Sequence, residues 1–232
     1  MINRLNKTAL LIFTRSLSEE VKFKKFTPFD SRKLNKKVAG LLISHTIQTA
    51  QKTNYPVFVI SSDQQIGNTF GERYANAFEN IFKMGYDRVI SLGNDSPTLT
   101  KKDVISAADE IQKSDVVIGP AKDGGAYLIA LTSVSYKRDE FINLRWNSEF
   151  VLYDLKKYSK NFSYTLIETR EDIDDSSDLL KICSKYFSYN DLCTKIFNIV
   201  KSFSNYSKVQ NSNLILQFLG FSSHLRAPPL YC

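Results

Sequence analysis

Two periods of hydrophobicity alternate along this chain, and that alternation limits what it can fold into. Short apolar runs recur at 8–14, 56–61, 88–92, 115–119, 126–131 and 163–168. Their length and their Val, Ile and Leu content predict buried strands. Longer runs with helical spacing lie between and after them, at 36–52, 72–84, 101–113, 148–158, 176–186 and 191–203. In the second of these, Tyr74, Phe78, Ile81 and Phe82 form one apolar stripe, and Gly85 ends it. Thr100 reads as the cap of the third, with Asp103 at its third helical position. Strand and helix in turn predict a three-layer α/β/α domain around a mostly parallel sheet. At 43% hydrophobic residues, a chain of 232 can bury a full core. We expect one domain over 1–203. The Ser- and Asn-rich stretch from 204 opens a polar linker and tail over 204–232.

Composition removes several classes of function. No apolar run approaches the ~20 residues needed to span a bilayer, so no membrane span is expected. The run 9–13 is too short for the core of a secretory signal. Cys183, Cys193 and Cys232 are sparse, odd in number and without CxxC spacing. They fit free thiols in a reducing cytoplasm better than a disulfide frame or a zinc site. The net charge of +7 is concentrated at the start, where residues 1–60 hold 11 Lys/Arg against 3 Asp/Glu. Such a segment suits nucleic acid, a membrane surface or a phosphorylated small molecule, but most of its lysines read as a solvated face, no nucleic-acid-binding motif accompanies it, and no nucleic-acid partner is expected.

Ligands of open parallel sheets bind beyond the carboxyl ends of the strands. The polar turns of this chain fall there: Thr14-Arg15, Ser61-Ser62-Asp63, Gly93-Asn94-Asp95-Ser96-Pro97, Lys122-Asp123-Gly124-Gly125 and Asp172-Ile173-Asp174-Asp175. The chain has nine glycines, and Gly93, Gly119, Gly124 and Gly125 sit at two of these turns. Glycine there permits close approach of backbone to a ligand. Asp95-Ser96-Pro97 by itself is also the pattern of a capped bend before a helix. The company of a second acidic turn is what makes Asp95 a candidate.

These segments, together with Leu11-Ile12-Phe13-Thr14-Arg15, Val21-Lys22, Gly71-Glu72-Arg73 and Gly119-Pro120-Ala121, carry a resemblance. From about Leu10 to Leu180 the chain resembles a glycosyltransferase-A-fold, nucleotide-diphospho-sugar-transferase-like family, of the selenodomain-associated or arsenosugar-biosynthesis glycosyltransferase type. The resemblance implies a transferase using a nucleotide-sugar or nucleotide donor and a small-molecule acceptor, with Mg²⁺ or Mn²⁺ as cofactor. Glycosyl transfer is the first expectation. Nucleotidyl transfer onto a phosphorylated small molecule, or nucleotide binding without catalysis, are the alternatives. By position, Asp95 and Asp174 are the implied metal ligands, with Asp95 and Asp123 at the chemistry. Thr14, Arg15 and Lys22 are expected to face the phosphates. Arg73, Gly93, Asn94, Gly124 and Gly125 are expected to line the pocket.

The first loop departs from the family, because Glu19-Glu20 stand where Pro-Gly precedes the Val-Lys pair. Two carboxylates there oppose a phosphate unless they turn away. The first glycine of the chain is Gly40, so no Gly-rich loop follows the first strand to cradle a triphosphate. Asp175 and Asp178 read as cap and first-turn acid of a helix, and Asp172 is open between the two roles. Trp146 and His45 read as packing residues.

Overall fold

The computed structural model describes residues 7–27 and 31–207. Six strands form one sheet: β1 (Thr8–Phe13), β2 (Val57–Ile60), β3 (Arg88–Leu92), β4 (Val116–Pro120), β5 (Ala126–Thr132) and β6 (Tyr164–Leu166). Their order is β2-β1-β3-β5-β4-β6. β1 runs parallel to β2 and β3, and β4 parallel to β6. β5 alone is reversed, antiparallel to both β3 and β4. The reason is chain length. Only residues 121–125 link β4 to β5, too few for the crossover a parallel pair requires.

Helices cover both faces, as the alternation predicts. They are α1 (Leu17–Phe23), α2 (Arg32–Gln51), α3 (Phe70–Lys83), α4 (Lys101–Glu110), α5 (Arg138–Ile142), α6 (Val151–Tyr158), α7 (Ser176–Lys185) and α8 (Asp191–Ser207). Strand residues alternate between two cores. Ala9, Leu11, Val116, Ile118 and Ile129 pack with Tyr74, Phe78 and Ile81 of α3, and with Phe141, Val151 and Leu155. Leu10, Ile12, Ile90, Val117 and Leu128 pack with Val104, Ala107 and Ala108 of α4. Burial on both faces explains why the strands read as continuous apolar runs. A third core joins Val38, Ala39 and Leu42 of α2 to α7 and α8, and it holds Phe26 and Ile173.

Several boundaries differ from expectation. α1 fills what reads as the first loop: at seven residues it is too short to show a period, although Glu19 and Glu20 suit its positive end. α5 is likewise short and was not anticipated. α2 begins at Arg32 rather than 36, because the Ser31 side chain accepts from Leu34 N–H. α6 begins at Val151 rather than 148, after a turn closed by Ser148. α8 runs through Ser207, so the expected boundary at 203/204 falls inside a helix, while 208–232 lies outside the described residues.

The Thr100 cap takes its expected form. Its Oγ1 accepts from Asp103 N–H at 3.3 Å, and Asp103 Oδ2 accepts from Thr100 N–H at 2.8 Å. Thr100→Ala is expected to cost about 1 kcal/mol. Urea denaturation measures this, and an unchanged midpoint would refute the cap's contribution.

Candidate functional site

A cavity of about 1010 Å³ opens at the edge where the parallel strands end and β5 begins. The reversal of β5 matters here, since it brings the 121–125 turn to the same edge as the loops after β1 and β3. Of the expected residues, Thr14, Arg15, Arg73, Gly93, Asn94, Asp95, Asp123, Gly125 and Asp174 all line the cavity. Gly124 does not line it and acts behind it. Its φ of +94° turns the chain, and a Cβ there would run into the Glu149 carbonyl.

Lys22 is the residue the sequence misplaced. It lies on α1, exposed and away from the cavity lining. Lys24, just past the helix end, takes the place expected of it. Its Nζ donates to Asp95 Oδ2 at 2.8 Å, lies 2.8 Å from Asp174 Oδ1 and donates to the Ile173 carbonyl at 3.3 Å. Asp95 and Asp174 therefore stand within reach of one cation, here an ammonium group.

Backbone bonds hold this arrangement. Ile173 N–H donates to the Asp95 carbonyl at 2.9 Å, and the Ser96 hydroxyl donates to the Glu171 carbonyl at 2.9 Å. Lys25 and Asp175 form an isolated parallel bridge, which ties the start of the chain to the same loop. A second bridge, Ala121 to Arg170, draws the Asp123 turn against it. Within that turn Gly125 N–H donates to Asp123 Oδ1 at 2.8 Å, which fixes the carboxylate.

Four carboxylates thus converge: Asp95, Asp123, Asp172 and Asp174. Oxygens of Asp123, Asp172 and Asp174 lie within 4.8 Å of one another. Asp172 bears the cost. Burial, and then the charges of Asp95, Asp123 and Asp174, push its carboxyl up to about 8, against the opposing pull of Lys24. For Lys24, burial opposes the charged form, but Asp95 and Asp174 outweigh it and hold the ammonium above its ordinary value.

The Glu19-Glu20 departure resolves in part. Glu20 is 3% exposed and its carboxylate lies 3.6 Å from Arg15. Burial raises its pKa, with Lys24 and Arg15 pulling the other way. It faces the cavity as one half of an ion pair rather than as a bare charge. The other wall is aromatic. Phe13, Phe70, Tyr74 and Trp146 line it, with Phe70 and Trp146 centroids 5.7 Å apart. Trp146 packs as expected, its indole N–H donating to the Phe141 carbonyl at 2.9 Å, yet it also reaches the cavity.

The structural assignments of the other polar residues hold. Asp175 caps α7 by accepting from Ser177 and Asp178 N–H. His45 Nε2 meets the Leu99 carbonyl at 2.9 Å, and burial lowers its pKa. Sequence reasoning missed Lys24 and left Asp172 open. For Lys24, residues 21–25 carry three lysines, and only the end of α1 decides which one turns inward. For Asp172 a signal existed, since it shares strand-like spacing with Asp174 across the buried Ile173.

The strand order, the reversed fifth strand and the cavity at the carboxyl edge define the fold of the nucleotide-diphospho-sugar transferases. A crystal structure from Desulfovibrio desulfuricans G20, of a protein provisionally described as a nucleotide-diphospho-sugar transferase, superposes with a TM-score of 0.73 at 20% identity, covering 86% of this chain and 99% of that one. Residues 37–148 match the family described as "Uncharacterized protein conserved in bacteria (DUF2064)". A homolog of Mycobacterium tuberculosis rv0371c from Mycobacterium sp. strain JC1 aligns over 83% of this chain and 98% of its own, at 8% identity and a TM-score of 0.47. No curated protein matches the chain. Among the described residues, no helix is long and apolar enough to cross a membrane.

Proposed function

We propose that this protein is a metal-dependent transferase acting on a nucleotide-activated donor, with glycosyl transfer to a small acceptor as its reaction. The observation that carries the proposal is the gathering of Asp95, Asp123, Asp172 and Asp174 around Lys24 in one cavity. The description of the Desulfovibrio desulfuricans relative supports the same class.

The residues fit a hard divalent cation. Mg²⁺ prefers carboxylate oxygens with water and phosphate oxygens at about 2.0–2.1 Å, and oxygens within 4.8 Å of one another need only small side-chain shifts to share such an ion. Burial and then the neighbouring carboxylates raise the proton affinity of Asp172, and a bound cation would oppose that by favouring its ionised form. Asp174 and Asp95 complete the donor set. When bound, the ion offsets the charge that develops on a leaving diphosphate.

The chain's own groups do the rest. Arg15 and Lys24 present positive charge to a diphosphate at the end of β1. Thr14 donates its hydroxyl to the Arg15 carbonyl at 3.1 Å, which shapes that loop. Gly93 and Gly125 leave the backbone open to the ligand. The aromatic wall, with Arg73 at its side, excludes water and offers a face for a ring of the donor or acceptor. Nucleotidyl transfer is less well supported, because α1 occupies the place of a triphosphate-cradling loop.

Thermal unfolding with nucleoside diphosphates, triphosphates and nucleotide sugars, each with and without Mn²⁺, tests the proposal. A ligand at 100 times its Kd contributes about 2.7 kcal/mol, or roughly 5–10 °C for a domain of this size. We expect a Mn²⁺-dependent shift with nucleotide sugars that Asp95→Asn abolishes. Equal shifts in wild type and Asp95→Asn would remove Asp95 from the site. Binding with no turnover would favour a nucleotide-binding module.

A further inference from the structure

The acidic cluster already holds a cation, and it is covalently attached. Lys24 has three N–H donors, and three acceptors meet them: Asp95 Oδ2, Asp174 Oδ1 and the Ile173 carbonyl. The ammonium is well sheltered, with its side chain 13% exposed. Asp174 is the pivot, because it also belongs to the Asp123–Asp172–Asp174 group whose oxygens converge. One carboxylate cannot serve an ammonium and a divalent ion at short range without bringing two like charges together.

We propose that Lys24 is a tethered counter-ion of this cluster, competing with the divalent cation for Asp174 and giving up that carboxylate when the ion binds. This rests on the metal reading of the site above.

Two consequences follow. While Lys24 sits between Asp95 and Asp174, affinity for a free ion is held down. Once the ion loads, a flexible four-carbon stem carries a released ammonium beside the cavity, where an incoming diphosphate can take it. Ion and diphosphate then favour each other's binding, and linkage makes the effect mutual. Lys24 in this role is a positioning and gating residue. A mere latch between the 24–26 and 173–175 segments would affect stability alone.

The test is Mn²⁺ affinity without nucleotide, read from the free-ion EPR signal. Lys24→Met keeps the stem and removes the charge, and is expected to bind Mn²⁺ about tenfold tighter or more. Lys24→Arg keeps the charge and is expected to stay close to wild type. If wild type binds Mn²⁺ and Lys24→Met binds it equally or more weakly, the counter-ion role is overturned while the metal reading stands. If neither binds Mn²⁺, both fall. A measurement on the unaltered protein guards against a misfolded variant. With lysines labelled at Cε and Nζ, Mg²⁺ titration is expected to shift the Lys24 resonance in NMR. Saturating Mg²⁺ that leaves that resonance in place would overturn the proposal.

Discussion

Asp172→Asn is expected to unfold at a higher temperature than wild type at pH 8 when divalent ions are absent, with the gap closing near pH 4. The sign comes from a carboxyl whose folded-state pKa, about 8, stands above its ordinary 3.8. Below about pH 4 the folded and unfolded chains both hold this proton. From about pH 4 to about pH 8 only the folded chain holds it, so stability falls as pH rises. Above about pH 8 the folded chain ionises as well and the loss levels off. Each tenfold change in proton affinity is worth about 1.4 kcal/mol, which sets a ceiling of about 6 kcal/mol. Asp123 and Asp174 are exposed, so solvent screening brings the expected figure to about 2 kcal/mol. Asparagine removes that cost and with it a proposed metal ligand. Mg²⁺ should therefore stabilise wild type more at pH 8 than at pH 5, and the variant little at either. Thermal unfolding across this range decides the matter, and parallel pH profiles for the two proteins would refute it.

Arg170→Met is expected to destabilise the fold by about 3 kcal/mol, the cost of leaving one partner of a buried ion pair uncompensated. Arg170 Nη2 donates to Asp103 Oδ1 at 2.6 Å, with the two side chains 19% and 7% exposed. Glu168 adds a second, exposed carboxylate at 3.0 Å. Asp103 is also the acidic half of the Thr100 capping box, so the pair joins α4 to the loop that carries Asp172. Arg170 N–H donates to the Pro120 carbonyl, and Lys122 N–H to the Arg170 carbonyl. Loss of the side chain is expected to loosen the Asp123 turn as well. Chemical denaturation measures the effect, and Asp103→Asn in the same background should recover part of it. A midpoint within error of wild type would show that solvent already supports Asp103.

The layers of the fold were legible because burial leaves a periodic trace. Leu10 and Ile12 face one core, Ala9 and Leu11 the other, and such runs read as strands. Caps were legible for a local reason: Thr100 with Asp103, and Asp175 with Ser177 and Asp178, act within three residues. The direction of β5 was not read, although the five-residue link before it contained the information. Asp95, Asp123 and Asp174, which all line the cavity, were singled out because each sits in a turn with its own signature. Lys24 was not, and Asp172 was left open, because their surroundings depend on partners far away in sequence such as Asp95. Nothing near Lys24 distinguishes it from Lys22 or Lys25 until α1 is seen to end at Phe23. The burial of Glu20 against Arg15 was hidden in the same helix.

The contacts that close the cavity span long stretches of chain. Lys24 and Asp95 are 71 positions apart, and Lys24 and Ile173 are 149. Contacts of that span form late, since the entropy of closing the loop is lost before they give anything back. Synthesis adds its own delay, because β1, Lys24 and Asp95 leave the ribosome well before Asp172 and Asp174. The sheet can begin to assemble while the acidic loop is still unmade. In that interval Lys24 has one carboxylate partner in place of two, and Asp95 and Asp123 lack their other two acidic neighbours. The acidic end of the cavity thus matures after the first strands of the sheet, and a chain that stops short of residue 174 reaches the end of its synthesis without the full cluster.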